Sequence, residues 1–176
     1  MITYLLLLVC ICLTGCMSSY HPEDGYSKHS TIITDLYLKQ ISNDGKFFVM
    51  GSGRSNSGFN QRVILLLETV GNYDIPRARE LFVELEEKFL VLLNNSIEIR
   101  PYLDHYPCGT EAFELTLVFK CPKGSFAQPP YLGEVTVSKD KIYYDVDNKE
   151  KKIFLPIFSE PYDEAYKIVY GKEKVN

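Results

Sequence analysis

The chain has no tryptophan and only three histidines among its 176 residues. It also has no apolar run approaching the ~20 residues that a membrane-spanning helix needs. Its uncharged apolar stretch, residues 5–13, falls well short of that length. Basic residues do not gather except at Lys149, Lys151 and Lys152, and the formal net charge is −4. That balance disfavours nucleic-acid binding, which needs a basic footprint. His21, His29 and His105 stand apart from any Cys/His spacing or Asp cluster, so no metal site is expected. Residues 51–58, a Gly/Ser/Asn stretch around Arg54, lack the Gly-Lys-Ser/Thr ending of a phosphate loop and lead into a strand pattern. A helix N-terminus, the main source of anion affinity in such loops, does not follow. The stretch therefore reads as a flexible connection between strands. No cofactor is expected. There is no internal repeat and no second shift in composition, so one domain is expected.

Cysteine is scarce, and three of the five lie in the first sixteen residues. The apolar run at 5–13 has the length of a signal-peptide core. It ends in Leu13-Thr14-Gly15-Cys16. Those four residues resemble the lipobox of bacterial lipoprotein precursors. The resemblance implies that residues 1–15 are a signal peptide and that Cys16 becomes a lipidated N-terminus. The thiol forms the thioether to the lipid, and a small Gly15 lets the peptidase reach the backbone. Residues 1–4 carry no Lys or Arg, a departure from the usual positive start. Met17 stands where the family places an Asp for inner-membrane retention. The expected location is thus membrane-anchored and extracytoplasmic, on the outer membrane of a bacterium that has two. Residues 16–30, with Ser18, Ser19, Pro22, Gly25, Ser27 and Ser30, read as the lipidated end and a tether. Residues 31–176 are the expected domain, large enough for a real core.

Cys108 and Cys121 remain. An oxidising compartment permits a bridge between them. A strand pattern runs between the two, however, and at ~3.3 Å per residue it holds its ends more than about 20 Å apart. Bridged cysteines need α-carbons within ~7 Å. The pair meets only if Glu111 and its neighbours fold back along the strand.

Periodicity predicts the elements. Ile32, Ile33, Leu36, Tyr37 and Ile41 have helical spacing, with an edge strand as the alternative, and Gly45 closes the segment. Residues 47–50 read as a short strand. The unbroken run Val63-Ile64-Leu65-Leu66-Leu67 predicts a central strand covered on both faces. A long amphipathic helix is expected over about 75–94. Asp74 caps it, Pro76 sits in its first turn, and Ala78, Leu81, Phe82, Leu85, Phe89, Leu92 and Leu93 form its apolar stripe. Arg77, Arg79, Glu80, Glu84, Glu87 and Lys88 form its polar side. Phe113, Leu115, Leu117 and Phe119 alternate with polar residues as in a half-buried strand. Strands follow at 132–137 and 142–147 around a Lys139-Asp140 turn, with a short one at 152–155 before Pro156. A short C-terminal helix is expected over about 161–170, closed by Gly171. The fold class is α+β: a single domain with a mostly antiparallel sheet and packed helices.

One connection is crowded with chemistry-bearing residues. Arg100, Tyr102, Asp104, His105 and Tyr106 lie between the long helix and the next strand and form the candidate surface for a partner. The succession Pro76-Arg77-Ala78-Arg79-Glu80-Leu81, Ile99-Arg100-Pro101-Tyr102-Leu103 and Tyr106-Pro107, with the Gly-rich stretch upstream, is similar to a group of small uncharacterised bacterial proteins. That similarity implies a shared fold and no known activity; Cys108 departs from the aromatic expected after Tyr-Pro. Cys108 with His105 as base and Asp104 as orienter would make a nucleophilic site. Three-residue spacing on a loop does not establish that geometry, so no catalytic residue is assigned. The sequence favours a lipoprotein of unassigned activity that binds an envelope protein or component or serves as a structural spacer in the envelope. The alternative is an envelope hydrolase using the loop around His105.

Overall fold

The computed structural model describes residues 25–43, 45–57 and 60–173. The segment expected to be a signal peptide, Cys16 and residues 17–24 of the expected tether lie outside the described residues. The chain forms the expected α+β domain. Helix α1 (Gly25–Ser42) leads into β1 (Phe47–Ser57) and β2 (Asn60–Val70). Helix α2 (Ile75–Asn95) is followed by β3 (Phe113–Lys120), β4 (Glu134–Ser138), β5 (Lys141–Asn148) and β6 (Ile153–Pro161), and the chain closes with helix α3 (Tyr162–Tyr170). The six strands form one sheet in chain order. All neighbours are antiparallel except β2 and β3, which α2 joins as a parallel pair.

Local chemistry explains α2 well. The Asp74 side chain accepts a hydrogen bond from the Arg77 N–H, and Pro76 occupies the first turn. Ala78, Phe82, Leu85, Phe89 and Leu93 are buried as the stripe predicts, while Leu81 and Leu92 are only partly so. Val83, Leu90 and Glu86 are buried as well, so the inward face is broader than the stripe. Arg79 is not on a solvated face. It forms a bidentate ion pair with Glu160 of β6 at 2.7 and 3.0 Å, and the Tyr144 hydroxyl donates to the same carboxylate at 2.5 Å. Glu87 is also engaged, accepting a hydrogen bond from the Tyr162 hydroxyl at 2.9 Å.

Helix α1 is described from Gly25 onward, so residues 25–30, expected in the tether, are helical. Its buried face is Tyr26, Ser30, Ile33, Thr34, Tyr37 and Ile41, rotated from the expected one. Ser30 turns inward at little cost because its hydroxyl donates to the Ser27 carbonyl. Tyr37 reaches across to donate to the Leu85 carbonyl and packs edge-on against Phe89, which stacks on Phe113. Burial, reinforced by the charge of Glu86, pushes the phenols of Tyr37 and Tyr162 well above their ordinary range. Ile32 and Leu36 are left exposed.

The sheet corrects two expectations. Residues 51–57 are not a loop but the second half of β1, because the ladder to β2 uses backbone groups and needs no apolar side chains. Strand β2 is not covered on both faces. Val63, Leu65, Leu67 and Thr69 are buried, whereas Ile64, Leu66 and Glu68 are half-buried on a face without helices. Strand β6 runs through Pro156 because it is an edge strand, where a missing N–H is tolerated, and its register shifts there. The β4–β5 turn is the expected Lys139-Asp140, both at positive φ as a two-residue hairpin requires. Cys108 and Cys121 are not bridged to each other.

On the helix-free face, Glu134 and Asp145 are cross-strand partners. Asp145 is 9% exposed, and its Oδ1 has no hydrogen-bond partner among the described residues. Burial raises both carboxyl pKa values, and Asp145 adds to the shift of Glu134. A carboxyl raised in the folded state stabilises the fold when protonated. That contribution is full below the ordinary carboxylate range and is lost as pH rises through the raised values. Asp145→Asn should therefore gain stability relative to the unaltered protein as pH goes from acid to neutral. Thermal melts across that range check this, and a pH-independent difference would count against it.

Candidate functional site

The connection from α2 to β3 is built on a clamp at the helix end. Asn94 accepts the Cys108 N–H through Oδ1 at 2.9 Å and donates from Nδ2 to the Cys108 carbonyl at 2.9 Å. Its amide thus acts as a strand partner and pins residue 108 to the last turn of α2. The Cys108 thiol donates to the same Oδ1 at 3.3 Å. Arg100 donates to the Asn94 carbonyl, and its guanidinium lies over the Tyr106 ring at 4.4 Å. Ile99 is fully buried and plugs the loop into the core.

His105 does not pair with Asp104. Its Nε2 lies 2.8 Å from Glu111 Oε1, an oxygen that also accepts the Gly109 N–H. The orienter expected at position 104 is therefore at position 111, just before β3. Cys108, His105, Glu111 and Asn94 line one cleft of about 410 Å³, floored by Leu90. The cleft thus brings thiol, imidazole, carboxylate and amide together. The contact to Asn94 is to a neutral amide oxygen, which stabilises the protonated thiol and not the nucleophilic thiolate. His105 and Glu111 are both solvated, and a solvated pair is weak. The arrangement is better suited to holding the loop than to activating Cys108. A larger cleft of about 630 Å³ lies at the other end of the helical layer, among Phe47, Phe48, Tyr73 and Arg77, away from this chemistry. Among the described residues no group of three or more His, Cys, Asp or Glu is placed to hold a metal ion.

Tyr102 goes elsewhere. Its ring stacks on His29 of α1 at 5.9 Å and lies against Gly25. A Cβ at position 25 would come within 2.0 Å of the ring, so the first residue of α1 and the loop are in direct contact. Glu98 faces the same helix. Its own backbone N–H, the Ser96 hydroxyl and the more distant His29 hold its carboxyl below the usual range. Arg54 of β1 donates to the Ser27 carbonyl at 3.3 Å and to the Thr31 hydroxyl. The start of α1 is thus bracketed by β1 on one side and by residues 96–106 on the other. Of the candidate surface residues, Arg100, Tyr102 and Tyr106 belong to this end, His105 belongs to the cleft, and Asp104 is exposed but shares a small adjoining hollow with His105, Cys108 and Glu111. Asn94 and Glu111, which organise the loop, carry no signal for that role in the sequence, because each acts through a partner brought to it by the fold.

Among the described residues, no helix is long and apolar enough to cross a membrane. Compared with known protein families, curated proteins and solved structures, the chain matches none of them.

Proposed function

We propose that this chain is a membrane-anchored extracytoplasmic lipoprotein whose α+β domain binds another protein or a component of the cell envelope. The observation that carries the reading is Leu13-Thr14-Gly15-Cys16 directly after an apolar run of signal-peptide length. Eight residues separate Cys16 from Gly25, the first described residue of α1, so an anchored Cys16 stands close along the chain to the domain. Lipidation with more than one acyl chain makes the anchoring firm, since each buried methylene contributes ~0.8 kcal/mol. Met17 in place of an Asp favours the outer membrane where there are two.

Cys16→Ser should abolish labelling with radioactive palmitate and block the cut before residue 16, because serine cannot form the thioether. Labelling and gel mobility in intact bacteria check both outcomes; unchanged labelling would remove Cys16 as the lipid site. A second reading, an envelope hydrolase, draws on the convergence of Cys108, His105 and Glu111 in one cleft. It requires that Cys108→Ser and His105→Gln each abolish turnover in a fold that melts normally. The Asn94 contact to the thiol weighs against it.

A further inference from the structure

We propose that the end of the domain formed by the start of α1 and residues 96–106 docks on the lipid surface that holds the anchor, an inference that rests on the lipid-anchor reading. Residues 17–24 number eight, and a chain of that length reaches at most ~28 Å. The end that surrounds Gly25 is therefore the part of the domain held nearest the anchor. The structure places exposed apolar and aromatic side chains there, drawn from positions some 70 residues apart. Ile97 is 71% exposed, Tyr106 51%, Ile32 48% and Tyr102 42%. A groove lined by Lys28, His29, Ile32, Leu92, Ser96 and Glu98 joins α1 to the residues on either side of Ile97, and Tyr102 stacks on the same His29.

The chemistry fits a bilayer interface. Tyrosines sit at headgroup depth, with apolar body inward and hydroxyl outward. Isoleucines at 32 and 97 can enter the acyl boundary. Lys28 and Arg100 flank them, and Arg100 already shields its guanidinium on the Tyr106 ring. Glu98 shares the groove with Lys28, so the local net charge is small. Insertion rather than attraction to anionic lipid then supplies the affinity, and docking should respond little to salt. The loop residues that suggested a partner surface from sequence thus have a defined occupant, the membrane.

The absence of tryptophan makes the test clean. Ile97→Trp and Ile153→Trp each introduce a sole tryptophan into the full-length chain. Ile153 lies on β6, the sheet edge opposite β1, about 24 Å away at ~4.8 Å per strand spacing. The lipidated proteins are reconstituted into phosphatidylethanolamine/phosphatidylglycerol vesicles with brominated acyl chains. The Ile97→Trp protein should lose most of its emission and keep that loss at high salt, while the Ile153→Trp protein keeps its emission. Tyr102→Trp provides a second probe if position 97 perturbs the fold. Equal quenching at both ends, or none at positions 97 and 102, overturns the docking. Flotation and palmitate labelling separate the causes. Unquenched protein that floats and is labelled loses the docking alone; protein that neither floats nor is labelled loses the anchor reading too.

Discussion

Glu160→Ala is expected to destabilise the domain by about 3–5 kcal/mol, because removing one partner of a buried ion pair leaves the other charge stranded. Glu160 is almost fully buried and receives two hydrogen bonds from Arg79 and one from the Tyr144 hydroxyl. Without the carboxylate, a guanidinium and a phenol lose their acceptor under the helical layer. The Arg79 guanidinium keeps its proton even without that partner, as arginine does in proteins, so it does not escape by becoming neutral. The sharper test replaces all three groups. Arg79→Met, Tyr144→Phe and Glu160→Leu together should be far milder than Glu160→Ala alone, since apolar side chains of similar volume leave no charge to satisfy. Urea titrations of the single and triple variants decide. If Glu160→Ala changes stability by less than about 1 kcal/mol, the pair behaves as a solvated one and the burial is misjudged.

Phe89→Ala should be comparably severe, at about 3–5 kcal/mol. The ring is fully buried, stacks on Phe113 with centroids 3.9 Å apart and receives the edge of Tyr37 at 5.3 Å. It therefore ties α2 to both β3 and α1, and its loss opens a cavity where three elements meet. Coupling with Phe113→Ala in a double-mutant cycle should be roughly 0.5–1.5 kcal/mol, the range for aromatic pairs. The neighbouring Lys88 is exposed, and Lys88→Ala should stay within about 0.5 kcal/mol. Similar losses at positions 88 and 89 would mean that the inward face of α2 is wrongly placed.

Where the determinants are local, they were legible in the chain. The start of α2 needs only Asp74 and Pro76, the β4–β5 turn only Lys139 and Asp140, and the end of α3 only Gly171 at φ 67°. Strand β3 announces itself by alternation because one of its faces meets the core. The class of fold follows from such elements taken in order. What failed depended on distant partners. Ile32 and Leu36 have helical spacing, yet the inward face of α1 is decided by the surface that α2 offers Tyr37. Residues 51–57 carry no strand signal of their own and are held extended by the backbone of β2. Five apolar residues in a row on β2 could not disclose that helices cover only one side of the sheet. The candidate loop shows the same division. Its composition marked it, since Arg, Tyr and His are conspicuous in sequence. Only the folded chain set His105 against Glu111, fastened Cys108 to Asn94 and laid Tyr102 on His29 at the start of α1. A sequence specifies what its neighbours along the chain can enforce; which side chains meet across the fold depends on packing that local pattern does not encode.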